Sequence, residues 1–193
     1  GLCNAYSDQM TITLTDIPTV DAGADQIICA DAASAFLGGS VNNATGGIWS
    51  TSGTGTFNPN NTTLTAAYIP SEADTVAGSV TLTLTTTGNG LCNAYSDQMT
   101  ITITPAPIAN AGPDQTLCAD ITAIPLSGEI TTATGGVWST SGTGTFAPNA
   151  NTLNASYIPT TADTIAGSVI LTLTTAGNGT CNTYTDQMII SFT

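Results

Sequence analysis

Apolar and polar residues alternate along two segments of the chain, 79–87 and 95–104, and this period of two predicts β-strands with one buried and one exposed face. Threonines separate the apolar positions Val80, Leu82, Leu84, Met99, Ile101 and Ile103. Threonine suits the exposed face because a β-branched polar side chain fits a pleated surface. The turn signal Gly88-Asn89-Gly90 lies between the two segments, so they are predicted to form a hairpin.

Similar patterning upstream predicts further strands, and no segment predicts a helix. The predicted strands are A (22–28), B (35–41), C (47–51), a short strand near 54–57, E (63–69), F (79–87) and G (95–104). The run Gly46-Gly47-Ile48-Trp49-Ser50 is similar to the strand that carries the buried tryptophan of immunoglobulin-like domains. The order and spacing of the strands therefore favour a β-sandwich.

The chain repeats itself with a period of 89 residues. Residues 1–10 recur letter for letter as 90–99 and, in diverged form, as 179–188. A unit of this length is too long for a solenoid repeat and fits an autonomous sandwich domain. The predicted fold class is all-β, with tandem immunoglobulin-like β-sandwich repeats of about 89 residues. The predicted units are the C-terminal strand of a preceding repeat (1–16), one repeat (17–105) and a second repeat (106–193).

The charge balance limits the partners of the chain. Asp and Glu total 13, whereas Lys, Arg and His are absent, which gives a net charge of −13. Nucleic acids and anionic membrane surfaces are bound through basic side chains, so neither is expected as a partner. No apolar run approaches the ~18 residues of a membrane span. The start of the chain lacks a signal-peptide pattern, so we expect a mature or internal segment.

The cysteines allow two pairing schemes. Each repeat has one cysteine after strand A (Cys29, Cys118) and one in the F–G loop (Cys92, Cys181). In an immunoglobulin-like topology strand A ends opposite its own F–G loop, about 20 Å away, whereas a disulfide needs Cα atoms within about 7 Å. This geometry predicts an inter-domain Cys29–Cys181 bridge. The other three cysteines would pair outside the chain: Cys3, Cys92 and Cys118.

The alternative scheme pairs cysteines within each repeat, Cys29 with Cys92 and Cys118 with Cys181, and requires a distorted first strand. Zinc is not expected, because the chain has no histidine and no Cys-x-x-Cys pair.

Few residues can carry chemistry, so we do not expect an enzyme. Without His or Lys, acid–base and nucleophilic candidates reduce to carboxylates, tyrosines and cysteines, and no dense carboxylate cluster is present. The recurring acids are interpreted as solvated turn and capping residues, with calcium at the domain junctions as the functional alternative. The candidate calcium ligands are Asp31, Asp74, Asp120 and Asp163. No other cofactor is expected.

The second repeat resembles repeats in very large secreted surface proteins of Bacteroidota. The residues that carry the resemblance are 110–118 (Asn-Ala-Gly-Pro-Asp-Gln-Thr-Leu-Cys), 135–139, 141–146, 155–159 and 171–175. These repeats are similar to those of SprB-type gliding-motility adhesins exported by the type IX secretion system. The resemblance covers essentially the whole chain and implies the stalk of a long extracellular filament. It also implies cell-surface localisation, adjacent repeats as partners and an unknown ligand at a distal tip.

Two tripeptides resemble an Asp-Ser/Thr-aliphatic O-glycosylation motif of the same phylum. They are Asp74-Thr75-Val76 and Asp163-Thr164-Ile165, and they imply glycans on Thr75 and Thr164. The plain alternative is an ordinary turn between strands E and F.

The resemblance, together with the predicted bridge between repeats, implies a structural stalk segment of a giant adhesin, stiffened by disulfides, which serves surface attachment and, in organisms that glide, gliding motility. The alternative is a carbohydrate- or ice-binding module, with aromatic residues or threonine rows as its surface. A third hypothesis is a filament that assembles through residues 1–16 as a donor strand. This hypothesis lacks an acceptor within the chain, since each repeat has its own strand G.

Overall fold

The computed structural model describes residues 1, 3–32 and 34–193, and in these the regular structure is almost entirely β. The first repeat contains β1 Thr19–Asp21, β2 Gln26–Cys29, β3 Ala35–Phe36, β4 Ser40–Asn42, β5 Gly46–Thr51, β6 Thr56–Asn58, β7 Ala67–Ile69, α1 Glu72–Ala77, β8 Ser79–Thr87 and β9 Ser96–Thr104. The second contains β10 Ile108–Asn110, β11 Gln115–Leu117, β12 Ile124–Pro125, β13 Glu129–Thr131, β14 Gly135–Thr140, β15 Thr145–Ala147, β16 Ser156–Ile158, α2 Thr161–Ala166, β17 Ser168–Ala176 and β18 Thr185–Phe192. The two halves therefore repeat the same order of elements.

Each repeat has two β-layers. One is a four-stranded sheet, in the order β2-β9-β8-β5 or β11-β18-β17-β14, and its first strand runs parallel to the second. The other contains β3-β7-β6 with β1-β4, and correspondingly β12-β16-β15 with β10-β13. Since β3 and β4 follow one another along a single segment, the second layer is continuous. Of the first two strands, β1 lies in the second layer and β2 in the four-stranded sheet, which also contains the β8–β9 hairpin. This is an immunoglobulin-like sandwich arrangement.

The predicted first strand is wrong in its extent. The segment forms two strands instead of one. The first, β1, pairs with β4 and ends at Asp21, and the second, β2, pairs with β9 in the other layer. Gly23 has a φ of 89°, a left-handed conformation that glycine adopts without steric cost and that lets the chain cross between layers. The break places Cys29 at the end of a strand parallel to β9.

Two apolar clusters, one per repeat, share no residue. The predicted core-facing positions of β8 and β9 are confirmed, since their side chains are at most 3% exposed. Trp49 is buried as predicted, and its indole Nε1 donates to the Leu64 carbonyl at 3.3 Å. Trp138 repeats this bond to Leu153 at 3.0 Å. A buried indole needs such a partner for its N–H, so the tryptophan fixes the chain between β6 and β7 against β5.

The expectation of no helix is wrong, because each repeat has a six-residue helix before its longest hairpin. Ser71 and Thr160 cap these helices, and Asp74 and Asp163 complete reciprocal capping boxes at the third helical position. Gly78 and Gly167 end them in the left-handed conformation. A helix of this length has too few apolar positions for a periodic signal and is held by its caps.

Residues 3–18 form no helix or strand, although residues 3–15 match β9 and the loop before it at every position except Leu14. The side chains of Met10, Ile12 and Leu14 are 81%, 70% and 89% exposed. The assignment of residues 1–16 to a preceding repeat stays a prediction. Among the described residues, no helix is long and apolar enough to span a membrane.

Candidate functional site: the joint between the repeats

The two repeats meet where β2 and β9 end. Cys29 is opposite Thr104 in the parallel pair, and the linker to the second repeat begins with the next residue, Pro105. The loop between β17 and β18, residues 177–184, approaches the same place, since Cys181 Sγ lies 3.7 Å from the Pro105 carbonyl oxygen. Three chain segments that are distant in sequence therefore converge at the linker.

A disulfide joins Cys29 and Cys181 across this boundary, with an S–S distance of 2.07 Å and Cα atoms 4.9 Å apart. This is the inter-domain pair that the strand topology predicts, and the within-repeat alternative is not what the structure contains. Cys3, Cys92 and Cys118 are unbonded. Cys29 is only 1% exposed and Cys181 is half-buried, so the bridge is buried on the side of the first repeat.

Asp31 adds a hydrogen-bonded contact beside the bridge. Its Oδ2 accepts hydrogen bonds from the Asn182 backbone N–H at 3.3 Å, from Asn182 Nδ2 at 3.0 Å and from the Tyr184 hydroxyl at 3.2 Å. Partial burial, the negative charge of Asp31 and this hydrogen bond raise the pKa of the Tyr184 hydroxyl. The disulfide and these hydrogen bonds involve five residues, which together we call the joint: Cys29, Asp31, Cys181, Asn182 and Tyr184.

Sequence reasoning assigned no role to Asn182 or Tyr184. The available signal was their recurrence, because Cys-Asn-x-Tyr appears at 3–6, 92–95 and 181–184, and Cys-Ala-Asp at 29–31 and 118–120. The two motifs carry the two sides of the joint. Which hydroxyl or amide faces which carboxylate depends on how the repeats meet, and no local pattern encodes that.

The joint also brings together Cys29, Asp31 and Cys181 with ligand atoms within 4.8 Å of one another. The two sulfur atoms are bonded to each other, so neither is a thiolate, the form in which cysteine binds metals. Only the Asp31 carboxylate is left as an ordinary ligand, and it already accepts three hydrogen bonds. Calcium binding at Asp31 stays a prediction.

The other predicted calcium ligands lie elsewhere. Asp120 is exposed, whereas Asp74 and Asp163 are each 2% exposed inside their repeats. In the described part of the chain, no group of three or more clustered acidic or cysteine ligands includes any of these three residues. Calcium binding by this set stays a prediction.

Asp163 instead closes a buried network. Its Oδ2 accepts from the Tyr157 hydroxyl at 2.8 Å and the Thr160 N–H at 3.0 Å, and its Oδ1 accepts from the Thr143 N–H at 2.8 Å. Burial opposes ionisation, but these hydrogen bonds outweigh it and lower the pKa of Asp163 to about 2. A Cβ atom at Gly142 would collide with the carboxylate, so this close approach requires glycine.

Asp74 repeats the network in the first repeat. Its carboxylate accepts from the Tyr68 hydroxyl at 2.8 Å and from the N–H groups of Thr54, Gly55 and Ser71, each at 2.9 Å. Burial opposes ionisation here too, yet the hydrogen bonds lower the pKa of Asp74. The interpretation of these two acids as solvated turn residues is therefore wrong, because both side chains are 2% exposed and their oxygens accept hydrogen bonds from within the repeat.

The two predicted glycosylation residues lie in the short helices. Thr75 Oγ1 donates to the Ser71 carbonyl at 2.8 Å, and Thr164 Oγ1 donates to the Thr161 carbonyl at 3.1 Å. Both threonines are half-buried, while the next residues, Val76 and Ile165, are 84% and 81% exposed. Glycosylation at these positions stays a prediction.

No protein-family model matches the chain, and no curated protein matches it. Among solved structures it is similar to Drosophila N-cadherin EC1-4 (TM-score 0.48, 13% identity, 93% of this chain and 50% of that one). It is also similar to the D00-D0 domain of intimin (0.47, 14%, 92% and 100%) and to Sidekick-1 immunoglobulin domains 1-5 (0.45, 13%, 94% and 40%). The chain spans half the length of the N-cadherin fragment. All three superpose only coarsely on it.

Proposed function

We propose that the chain is a stalk segment of an extracellular filamentous adhesin, in which covalent joints between sandwich repeats resist bending and stretching. The observation that carries this proposal is the Cys29–Cys181 bridge between residues of different repeats. A bridge within one repeat would stabilise only that repeat. A bridge beside the linker constrains how two repeats are oriented, which is the property that a projecting rod needs.

The bridge also determines which part of the chain can carry tension. Cys29 and Cys181 are 152 residues apart in sequence, so the disulfide closes a loop that contains most of both repeats. Force applied at the two ends passes through the bridge and bypasses that loop. Only residues 1–29 and 181–193 can be extended, which gives at most about 150 Å at about 3.6 Å per residue, against about 690 Å for the reduced chain.

The resemblance to Bacteroidota surface repeats supports the finer proposal. We propose type IX export, a cell-surface location and a role in attachment that includes gliding motility in organisms that glide. The absence of Lys and Arg supports an extended array, because copies with net charge −13 repel one another and do not collapse together.

Single-molecule force spectroscopy on the full chain, pulled from its ends, tests the stalk proposal. The oxidised chain is expected to reach a maximum extension near 150 Å, and the Cys29→Ser/Cys181→Ser variant near 690 Å. The matched control, Cys3→Ser/Cys118→Ser, removes two cysteines without touching the bridge and should behave as the unmodified chain. Equal extension of the bridged chain and the bridge-free variant would contradict a mechanical role for the joint.

A further inference from the structure

Residues 1–15 and 90–104 differ in sequence only at Leu14, which corresponds to Ile103, yet the described apolar residues Met10, Ile12 and Leu14 are exposed where their counterparts are buried. In β9 the apolar residues Met99, Ile101 and Ile103 are 1%, 0% and 2% exposed, because β8 and β2 flank the strand and the second layer covers it. Their counterparts in 1–15 are 70–89% exposed and flanked by no strand. The N-terminal segment therefore has the side chains of a last strand without the sandwich around them.

The end of this segment already lies where a last strand ends. Cys92 Sγ is 3.5 Å from Thr15 Oγ1 and 3.8 Å from the Asp16 carbonyl oxygen. At the joint, Cys181 Sγ is 3.7 Å from Thr104 Oγ1 and 3.7 Å from the Pro105 carbonyl oxygen. Thr15 and Asp16 thus contact the first repeat as the end of β9 contacts the second.

The side chains that complete a joint are also present here and lack their partners. Cys92, Asn93 and Tyr95 correspond to Cys181, Asn182 and Tyr184 at the interval of 89 residues. Cys92 is unbonded, and Tyr95 is 43% exposed, close to the 38% of Tyr184. A partner that wraps residues 7–15 would bring its own Cys-x-Asp motif to these residues, as β2 brings Cys29 and Asp31 to the second repeat.

From these observations we infer that residues 7–15, together with Cys92, Asn93 and Tyr95, form a docking surface for a partner of the same repeat type that lacks its own last strand. This inference rests on the proposed function, since it assumes that repeats join end to end. Residues 7–15 supply the last strand of the partner, antiparallel to the strand equivalent to β8 and parallel to the strand equivalent to β2. Main-chain hydrogen bonds provide the pairing, and the alternate apolar side chains provide the register.

The covalent step that follows docking is disulfide formation between Cys92 and the partner's cysteine, with glutathione disulfide as the oxidant. The Cys92 thiolate attacks glutathione disulfide, which releases one reduced glutathione and leaves a mixed disulfide. The partner's thiolate then attacks the Cys92 sulfur and releases the second glutathione. The two protein thiols lose two protons and two electrons, and one glutathione disulfide is reduced.

A fusion tests the inference with the full chain intact. A copy of residues 17–89 is placed directly before Gly1, so that Gly1 takes the position that Gly90 has in the first repeat. Amide hydrogen exchange of residues 7–15 is compared between the fusion and the unmodified chain, with residues 96–104 as the internal reference. We expect exchange in the fusion to slow by at least about 1000-fold, the lower end of folding equilibrium constants for small domains.

Two adjacent substitutions provide the matched control. Ile12 corresponds to buried Ile101, whereas Thr13 corresponds to exposed Thr102. In the fusion, Ile12→Asn should abolish the slow exchange and Thr13→Asn should preserve it. In the unmodified chain both substitutions should leave the melting temperature unchanged, because both side chains face solvent there.

Peptide mapping of the oxidised fusion adds a second readout, and the expected new bridge joins Cys92 to the copy of Cys29. A Leu14→Ile version of the fusion makes the strand identical to β9. It therefore tests whether Leu14 alone prevents the strand from packing. Fast exchange of residues 7–15 in both fusions, with 96–104 still protected, would overturn the inference. That outcome would leave the stalk proposal standing if the Cys29–Cys181 bridge still limits extension under force.

Discussion

Asp163 lies inside one repeat and Asp31 lies at the joint between two repeats, and the two carboxylates have different kinds of partner. All three residues that donate to Asp163 come from its own repeat, within 20 residues in sequence, and the side chain is 2% exposed. Asp31 accepts from residues 151 and 153 positions away, in the other repeat, and is half-buried. The interior network completes a repeat by itself, whereas the joint exists only when a second repeat is present.

The largest expected effect is on the joint and comes from removing its bridge. Cys29→Ser/Cys181→Ser opens a loop of 152 residues, which should lower the free energy of unfolding of the whole chain by about 4–5 kcal/mol on the chain-entropy model. Denaturant unfolding measures the loss. The near-ultraviolet circular dichroism of Trp49 and Trp138 should stay native in the variant, because neither apolar cluster includes the bridge. Loss of that signal would mean that the joint belongs to the cores.

The next largest expected effect is the loss of stability when the buried Asp163 carboxylate is replaced. Asp163→Asn replaces one acceptor oxygen with an N–H₂ group that faces N–H and O–H donors, so the free energy of unfolding should fall by about 3 kcal/mol. Urea unfolding of the variant measures the change. Glu129→Gln is the matched control, since Glu129 is exposed in β13 and should change the free energy by less than about 0.5 kcal/mol. Equal effects of the two substitutions would contradict the network.

The same network predicts a pH dependence. The pKa of Asp163 is about 2 in the folded chain and 3.8 in its ordinary state, so the folded state favours the ionised form. The resulting stabilisation, about 2 kcal/mol, is fully present above about pH 4 and is lost as the pH falls through about 2. The difference in free energy of unfolding between the unmodified chain and Asp163→Asn should therefore shrink between pH 5 and pH 2. A constant difference over this range would show that ionisation is not involved.

The smallest expected effect comes from removing the Asp31 carboxylate of the joint, with the equivalent exposed residue Asp120 as the comparison. Asp31→Ala removes three hydrogen bonds beside the bridge, which should make the Cys29–Cys181 disulfide about fivefold easier to reduce in glutathione buffers, or about 1 kcal/mol. Alkylation followed by mass spectrometry gives the reduced fraction. Asp120→Ala, at the equivalent exposed position of the second repeat, should leave that fraction unchanged. If both variants shift it equally, net charge and not contact is responsible.

Much of the architecture follows from short-range patterns in the sequence. Alternation identified the buried positions of β8 and β9, because a strand exposes every second side chain to the same environment. The interval of 89 residues identified the equivalent cysteines, and the direction of the strands favoured pairing between repeats over a Cys29–Cys92 bridge. These inferences need only the period of a strand, its length and the order of strands in a sandwich.

The sequence did not predict the short helices or the burial of the Asp74 and Asp163 carboxylates. Each helix depends on a serine or threonine cap and on an acid three residues later, a pattern that also occurs in ordinary turns. The burial of that acid depends on Tyr68 or Tyr157, which approaches it from a neighbouring strand. A local motif cannot distinguish an exposed carboxylate from a buried one when the donors come from elsewhere in the fold.

The sequence by itself determined the repeat, the alternating strands and the buried tryptophan, and it favoured the Cys29–Cys181 pair over pairing within each repeat. The tertiary structure alone decided where the first strand breaks between layers, which acids are buried, and that Asp31 meets Asn182 and Tyr184. The physical reason is one of range. Alternation and spacing act between neighbours along the chain, whereas burial and hydrogen-bond partners depend on segments that folding brings together from as far as 153 residues apart.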